Sequence, residues 1–153
     1  MKTGKTSLAV AALCNGTVID RIPAKALFKA ARILDIEHAD TAVTIGNNLP
    51  SKELGLKGII KVADTVYPEA TLNRIALIAP TAKINIIKDY EVVEKRHVEL
   101  PDTIVGLVRC SNPKCITNNE PMLTRFNVVD REDVTIRCCY CAQDIKAADA
   151  VLD

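Results

Sequence analysis

The chain has 153 residues and a net charge of +1, enough length for one domain or two small ones. Hydrophobic residues make up 48% of it, but aromatics only 3% and tryptophan none, so its core must be aliphatic. No segment approaches the roughly 18 uninterrupted apolar residues of a membrane-spanning helix. The basic start (Met1, Lys2, Lys5) leads into an apolar run too short for a signal peptide and lacking a cleavage site, so a reducing cytoplasm is expected.

Ser7 to Leu13 is an apolar run of strand length. Asn15-Gly16 is a two-residue turn signal, followed by a β-branched strand over Thr17 to Ile22. Alternation in that strand places Val18 and Ile22 with Asp20 on one face, and Thr17, Ile19 and Arg21 on the other. Pro23 opens a helix whose buried stripe is Leu27, Ala30, Ala31 and Leu34. Ala42 to Leu49 reads as a strand stopped by Pro50, Ser51 to Leu56 as a loop, and Gly58 to Asp64 as the next strand. A second helix runs from Pro68 to Ala79 and stops at Pro80, with Leu72, Ile75, Ala76 and Ala79 inward. Ala82 to Lys88 is a strand, and Glu91 to Val98 adds another or crosses to the next domain. From the second strand onward the order is β-α-β-β-α-β, the ferredoxin-like or split βαβ pattern. Both helices then cover one sheet face and leave the other free. The fold class is α+β, with residues 1–100 as this domain.

Pro101 marks the boundary to a second module, residues 101–153, with short strands only: Ile104 to Arg109, Met122 to Val129 and Val134 to Arg137. About 50 residues supply too little core to fold alone, so a metal is expected to make up the difference. Its ligands are visible. Cys110-x4-Cys115 and Cys138-x2-Cys141 are two short-spaced pairs with 22 residues between them. Two turns of this kind converge on one tetrahedral Zn²⁺. Pro113, with Ser111 and Asn112, suits the first turn. Cys139 competes with Cys138, but the two-residue spacer to Cys141 favours Cys138. Cys14, alone in an apolar run, reads as a small core hydrophobe. Four thiolate ligands leave no open position for substrate or activated water, so the metal is structural.

Charge bears on partners. Residues 1–100 hold 14 Lys+Arg against 11 Asp+Glu, whereas residues 101–153 hold 6 against 8. Four thiolates on one zinc add two more negative charges, the wrong sign for holding nucleic acid. Catalytic machinery is also missing: there is no Walker loop, no G-x-G-x-x-G, and neither His38 nor His97 has a nucleophile or carboxylate at a telling spacing. One polar set stands out in the first domain. Lys61 and Asn85 each interrupt an apolar strand, Tyr90 and Lys95 follow, and Asp20 and Arg21 end the strand Gly16-Thr17-Val18-Ile19. Such groups can bind a base edge or a phosphate; they also suit the solvent face of a sheet covered on one side.

Several stretches occur together and in order: Gly16-Thr17-Val18-Ile19-Asp20, Ile45-Gly46-x-Asn48-Leu49-Pro50-Ser51, Lys57-x-x-Ile60-Lys61, Leu77-x-Ala79-Pro80 and Asp89-Tyr90-Glu91-Val92-Val93. The cysteine quartet with Asn118-x-Glu120-Pro121 follows them. With these, the chain resembles the regulatory chains of aspartate carbamoyltransferase over nearly its whole length. The resemblance implies a non-catalytic regulatory subunit of pyrimidine biosynthesis. Its N-terminal domain would bind CTP, UTP or ATP as allosteric effectors, and its zinc domain would dock on catalytic chains. Regulatory chains would pair as homodimers within a larger hetero-oligomer. The implied nucleotide pocket comprises Val10, Ala11, Ala12, Leu13, Asp20, Arg21, Lys61, Asn85, Ile87, Tyr90, Val92 and Lys95. Within it, Lys61 and the backbone at Leu13 and Tyr90 would read the base, Val10 and Asp20 would lie near the ribose, and Arg21 and Lys95 would meet the phosphates. The chain departs from the family pattern where Ala11 stands for a glutamate, Arg21 for a histidine, and Cys14 and Asn15 for two basic residues. The competing readings are a stand-alone ferredoxin-like acyl phosphate hydrolase, for which no catalytic Arg and Asn loop can be placed, and a zinc-ribbon nucleic-acid adaptor.

Overall fold

In a computed structural model, which describes residues 12–153, the chain forms two units, Met1–Glu99 and Leu100–Asp153. The first unit is a five-stranded antiparallel sheet. Its strands are β1 (Gly16–Pro23), β2 (Val43–Ser51), β3 (Gly55–Ala63), β4 (Lys83–Lys88) and β5 (Glu91–His97), in the order β2-β3-β1-β4-β5. Helix α1 (Leu27–Ile33), entered through a 3₁₀ turn at Ala24–Ala26, connects β1 to β2. Helix α2 (Glu69–Arg74), extended by a 3₁₀ turn at Ile75–Leu77, connects β3 to β4. Without β5, the order β2-β3-β1-β4 is the ferredoxin-like arrangement, in which each βαβ unit is split by a strand of the other. The apolar run Ser7 to Leu13 lies outside the described residues apart from Ala12 and Leu13, which are in no strand.

Sheet and helices meet in an aliphatic core. Ile19, Ile22, Ile60, Val62 and Ile84 pack with Leu27, Ala30 and Leu34 of the first helical connection and Leu72, Ile75, Ala76 and Ala79 of the second. Of the expected stripe, Ala31 alone is only half buried. Gly58 permits the close approach of α1, since a Cβ there would lie 2.6 Å from Leu27 Cδ1. Gly16 sits where β1 is flanked by β3 and β4. Its φ is +142°, and a Cβ would lie 2.1 Å from the Val62 carbonyl oxygen.

Three expectations in this unit need correction. First, Ile22 does not share a face with Val18. Ile19 pairs with Ile60 and Ile22 with Gly58, so β1 spends three residues where β3 spends two. This bulge, with Arg21 at φ +59°, turns Ile22 onto the helix-covered face beside Ile19. Second, Pro50 does not stop β2: the strand runs through it to Ser51, because β2 is an edge strand and needs no N–H there. Third, the loop expected over Ser51 to Leu56 shrinks to Lys52–Leu54, since Gly55 and Leu56 already belong to β3.

The second unit is built from β6 (Thr103–Val105), β7 (Val108–Arg109), β8 (Arg125–Asp130), β9 (Thr135–Cys138), β10 (Asp144–Lys146) and β11 (Val151–Leu152). Four of these form a sheet in the order β10-β9-β8-β6, and β11 pairs with β7. The continuous strand expected over Ile104 to Arg109 is broken at Gly106, whose φ is +70°. The expected strands stopped at Arg137, whereas β10 and β11 follow it. Phe126 and Ile136 are fully buried among Ile104, Val108, Ala147 and Leu152. Thr124, also buried, donates its hydroxyl to the Val108 carbonyl at 2.6 Å.

Candidate functional site

The metal centre is assembled by two turns. Cys110 follows β7, and the chain then folds back so that the Cys115 N–H donates to the Asn112 carbonyl at 3.0 Å. Asn118 clamps this turn, its side-chain amide donating to the carbonyls of Cys110 (2.9 Å) and Asn112 (2.8 Å). Asn119 does the same for Pro113 (3.2 Å) and Cys115 (2.9 Å). The second turn starts at Cys138, the last residue of β9, and closes when the Ala142 N–H meets the Cys138 carbonyl at 2.9 Å, with Ala142 at φ +64°. From the sequence, Asn118 stood only in a motif beside the quartet, with no role in the centre, and Asn119 was not singled out; the turn signals around Cys110 are what could have pointed to both.

These turns bring Cys110, Cys115, Cys138 and Cys141 together, with all four sulfurs within 4.8 Å of one another. Cys110 and Cys141 are 3.5 Å apart, Cys115 and Cys138 3.7 Å. A tetrahedral zinc with bonds of about 2.3 Å calls for sulfur separations of about 3.8 Å, so the quartet is already close to ligand spacing. Burial pushes the Cys110 thiol up to about 12 and raises that of Cys138 as well. Burial also pushes on Cys141, but hydrogen bonds from the Gln143 backbone, Asn112 and the neighbouring cysteines outweigh it and bring that thiol down to about 7. Buried thiols of this kind become thiolates together only around a cation. The donor set suits a structural zinc, with every tetrahedral position taken by protein. Cys139 points elsewhere: it is exposed, and its N–H joins the Arg125 carbonyl at 2.9 Å.

In the first unit, cross-strand register aligns the polar residues that interrupt the strands. Lys61 is opposite Thr44 on one side and Val18 on the other; Val18 is opposite Asn85, and Asn85 opposite Lys95. Directly opposed residues project from the same face. Thr44, Lys61, Val18, Asn85 and Lys95 therefore form one row across all five strands. It lies on the face away from the helices, since Ile60 and Ile84, the buried neighbours of Lys61 and Asn85, face the core.

Rows on either side differ in character. Toward one end, Ile87 is opposite Gly16 and Val92. Ile87, Leu13 and Val18 belong to a small apolar cluster that extends across the row to Ile59 and Leu49, which lie on its other side on β3 and β2. The two-residue turn Asp89–Tyr90, both at positive φ, closes this end. It is held by the Tyr90 N–H on the Cys14 carbonyl (2.9 Å) and the Asp89 N–H on Asn15 Oδ1 (3.1 Å). Toward the other end, Asp20 is opposite Lys83, and Lys83 opposite His97. Here a cleft of about 220 Å³ is lined by Asp20, Arg21, Lys83, Asn85, Lys95 and His97, among others. Asp20 pairs with Lys57 at 2.9 Å and accepts the Arg21 N–H at 2.7 Å; the Arg21 guanidinium pairs with Glu53. Burial holds Lys61 below the usual lysine range, and Asp20 partly offsets this. A desolvated ammonium of that kind gains most from an oxygen acceptor.

The structure thus gathers Leu13, Asp20, Arg21, Lys61, Asn85, Ile87, Tyr90, Val92 and Lys95 around one sheet face. Ala12 is described but exposed, and Val10 and Ala11 lie outside the described residues. Lys83 stood outside the polar set read from the sequence, and His97 was set aside there for want of a catalytic partner, although strand alternation from Asn85 and Lys95 points to both.

A four-cysteine cluster in one unit and, in the other, a one-sided sheet with a polar row across its open face define a two-module protein of the metal-site-plus-sheet class. Comparison with known proteins agrees. The profile of the aspartate carbamoyltransferase regulatory chain, allosteric domain, matches residues 8–99, and that of the same chain's metal binding domain matches residues 102–151. The aspartate carbamoyltransferase regulatory chain of Parabacteroides distasonis is 55% identical over 148 residues, covering 97% of this chain and 96% of that one. Its counterpart in Porphyromonas gingivalis is 59% identical over 141 residues (92% and 93%), and that of Pyrococcus abyssi 48% identical over 141 residues (91% and 93%). The chain belongs to the family of aspartate carbamoyltransferase regulatory chains. No helix among the described residues is long and apolar enough to cross a membrane.

Proposed function

We propose that this chain is a regulatory subunit that senses nucleoside triphosphates and passes their effect to catalytic chains of aspartate carbamoyltransferase in the cytoplasm. The observation that carries this is the row of Lys61, Val18, Asn85 and Lys95 on the open sheet face, flanked over β1, β4 and β5 by apolar Ile87 and Val92 on one side and by the cationic cleft on the other. A nucleoside triphosphate runs the same way, from a flat base with polar edges to a polyanionic tail. Residues 1–100 serve as the nucleotide domain, with CTP, UTP and ATP competing for Val10, Ala11, Ala12, Leu13, Asp20, Arg21, Lys61, Asn85, Ile87, Tyr90, Val92 and Lys95. Lys61 and Asn85 address the base, the turn at Tyr90 closes over it, and Arg21 and Lys95 draw the phosphates.

Residues 101–153 serve as the docking domain, with one zinc held by Cys110, Cys115, Cys138 and Cys141. Zinc supplies cross-linking there, which makes metal binding part of the folding free energy of a module with a small core. Two such chains pair within the larger assembly. The chain acts by favouring one state of its partner, since a nucleotide shifts an equilibrium only through different affinities for the two states.

Isothermal titration calorimetry on the full chain tests the nucleotide site. CTP and ATP should bind competitively. Lys61→Ala should weaken both by about tenfold, as expected for loss of a charge-assisted hydrogen bond. Absence of CTP and ATP binding at millimolar concentration would overturn the proposal.

A further inference from the structure

The first unit ends at Glu99 and the second begins at Leu100, and the chain is gripped on each side of that peptide. On the first side the grip comes from α2. The Glu99 N–H donates to Asn73 Oδ1 at 3.1 Å, and Asn73 is the last residue but one of that helix. Three residues before Glu99, Glu94 foremost, and Glu69 at the start of α2, raise the Arg96 guanidinium above its usual range. The end of β5 and the residues after it thus lie along α2. On the second side the grip comes from the turn between β8 and β9. Arg131 in that turn donates through Nη1 to the Leu100 carbonyl at 2.9 Å and pairs through Nη2 with Asp102. The Asp102 carbonyl accepts the Val128 N–H of β8 at 3.0 Å. Asp130 Oδ1 secures the turn itself by accepting the Glu132 N–H at 2.9 Å. Between the grips the chain is stiff, because Pro101 locks its own φ and keeps Leu100 in extended backbone.

Resting on the regulatory reading above, we propose that residues 99–102 form the coupling lever of the chain, with Asn73 and Arg131 as the positioning residues that hold its two ends. A change at the open sheet face is passed along this segment to the docking unit. The elements on the first side all bear on that face. β5 carries Lys95, four residues before Glu99, and α2 connects β3, which carries Lys61, to β4, which carries Asn85. On the second side, the turn that holds Arg131 leads into β9, whose last residue is Cys138 of the sulfur quartet. Rigid elements and hydrogen-bonded chains of this kind are what carry coupling from one site to another. A grip passes on no more strain than would break it. Loss of the single neutral hydrogen bond at Asn73 therefore removes about a fivefold effect. Neither Asn73 nor Arg131 belongs to the proposed nucleotide residues or to the quartet, so both act on the response rather than on the ligands.

The test uses catalytic chains reconstituted with the full regulatory chain, unmodified or carrying one substitution. Asn73→Ala removes the first grip. Arg131→Lys keeps a charge beside Asp102 but loses the fork that also reaches Leu100. Pro101→Gly loosens the segment and touches neither grip. Calorimetry on each full chain should give an unchanged CTP affinity, and each should carry one zinc and assemble normally. In the assembled complex, the shift that CTP produces in half-saturating aspartate should shrink about fivefold in Asn73→Ala, and should shrink in Arg131→Lys and Pro101→Gly as well. Asn73→Asp, which keeps an acceptor for the Glu99 N–H, should retain the full shift. A full-sized shift in both Asn73→Ala and Pro101→Gly, or a loss of CTP affinity in Asn73→Ala, would overturn the inference and leave the nucleotide site standing. Failure of Arg131→Lys to assemble would assign Arg131 to docking and overturn its place in the lever. A complex of the unmodified chain that ignores CTP and ATP would overturn the regulatory reading itself.

Discussion

Cys138 and Cys139 are adjacent and chemically identical, yet the fold gives them opposite surroundings. Cys138 ends β9, is 1% exposed, and its sulfur receives the Tyr140 N–H at 3.4 Å. Cys139 is exposed, outside the sulfur quartet. The spacing Cys-x2-Cys could distinguish them in the sequence because one turn of that length closes only from the first of the two. The clamping amides of Asn118 and Asn119 could not be read in the same way: their roles depend on carbonyls up to eight residues away, fixed only once the turn exists. Cys138→Ser should therefore lose the metal and unfold the second unit, leaving the circular dichroism of residues 1–99 intact, while Cys139→Ser should retain one zinc per chain. Metal content by plasma mass spectrometry checks both, and zinc retained in Cys138→Ser but lost in Cys139→Ser would reverse the ligand assignment.

At the scale of elements, the sequence carried what is periodic and lost what is not. Both helical connections and the strands of the split βαβ pattern were legible because their apolar spacing is regular. The bulge at Asp20–Arg21 was not, since it breaks the alternation by which strand faces are read, and Ile22 was placed on the wrong face as a result. Pro50 misled because a proline stops a central strand but not an edge strand, and edge position belongs to the assembled sheet. β10 and β11 are three and two residues long and leave no periodic trace. The polar row across the open face was visible only as separate interruptions of two strands, with Lys95 following; register turned them into neighbours.

The entry to β1 provides a test at this scale. At Gly16 any side chain meets backbone rather than a movable neighbour, and the φ of +142° is one that L-residues avoid. Gly16→Ala should destabilise the first unit by at least about 2 kcal/mol, combining backbone strain with displacement of β3. Urea denaturation of the full chain, followed by a probe in the first unit, measures this; an unchanged midpoint would show that Gly16 is not confined as described.

At the scale of the whole molecule, the two units divide the work as proposed: one takes a small anion, the other a protein. Membership of the regulatory-chain family makes the chain a non-catalytic subunit, and in the proposed reading its effect passes through a partner. Coupling of this kind is typically about 1–3 kcal/mol, a 5- to 150-fold change in a partner's ligand affinity. Assembly and nucleotide sensing are then separable. Substitution at Lys61 should leave docking unchanged and shift the response to higher nucleotide concentration, whereas loss of the zinc cluster should abolish docking and response together. The decisive measurement is aspartate saturation of reconstituted catalytic chains, with and without the full regulatory chain, in the presence and absence of CTP and ATP. The saturation curve should become nucleotide-sensitive only when the regulatory chain is present, with Lys61→Ala assembling normally but responding about tenfold less sensitively to nucleotide concentration. A curve that ignores CTP and ATP in the assembled complex, or carbamoyl transfer by the regulatory chain alone, would contradict the account.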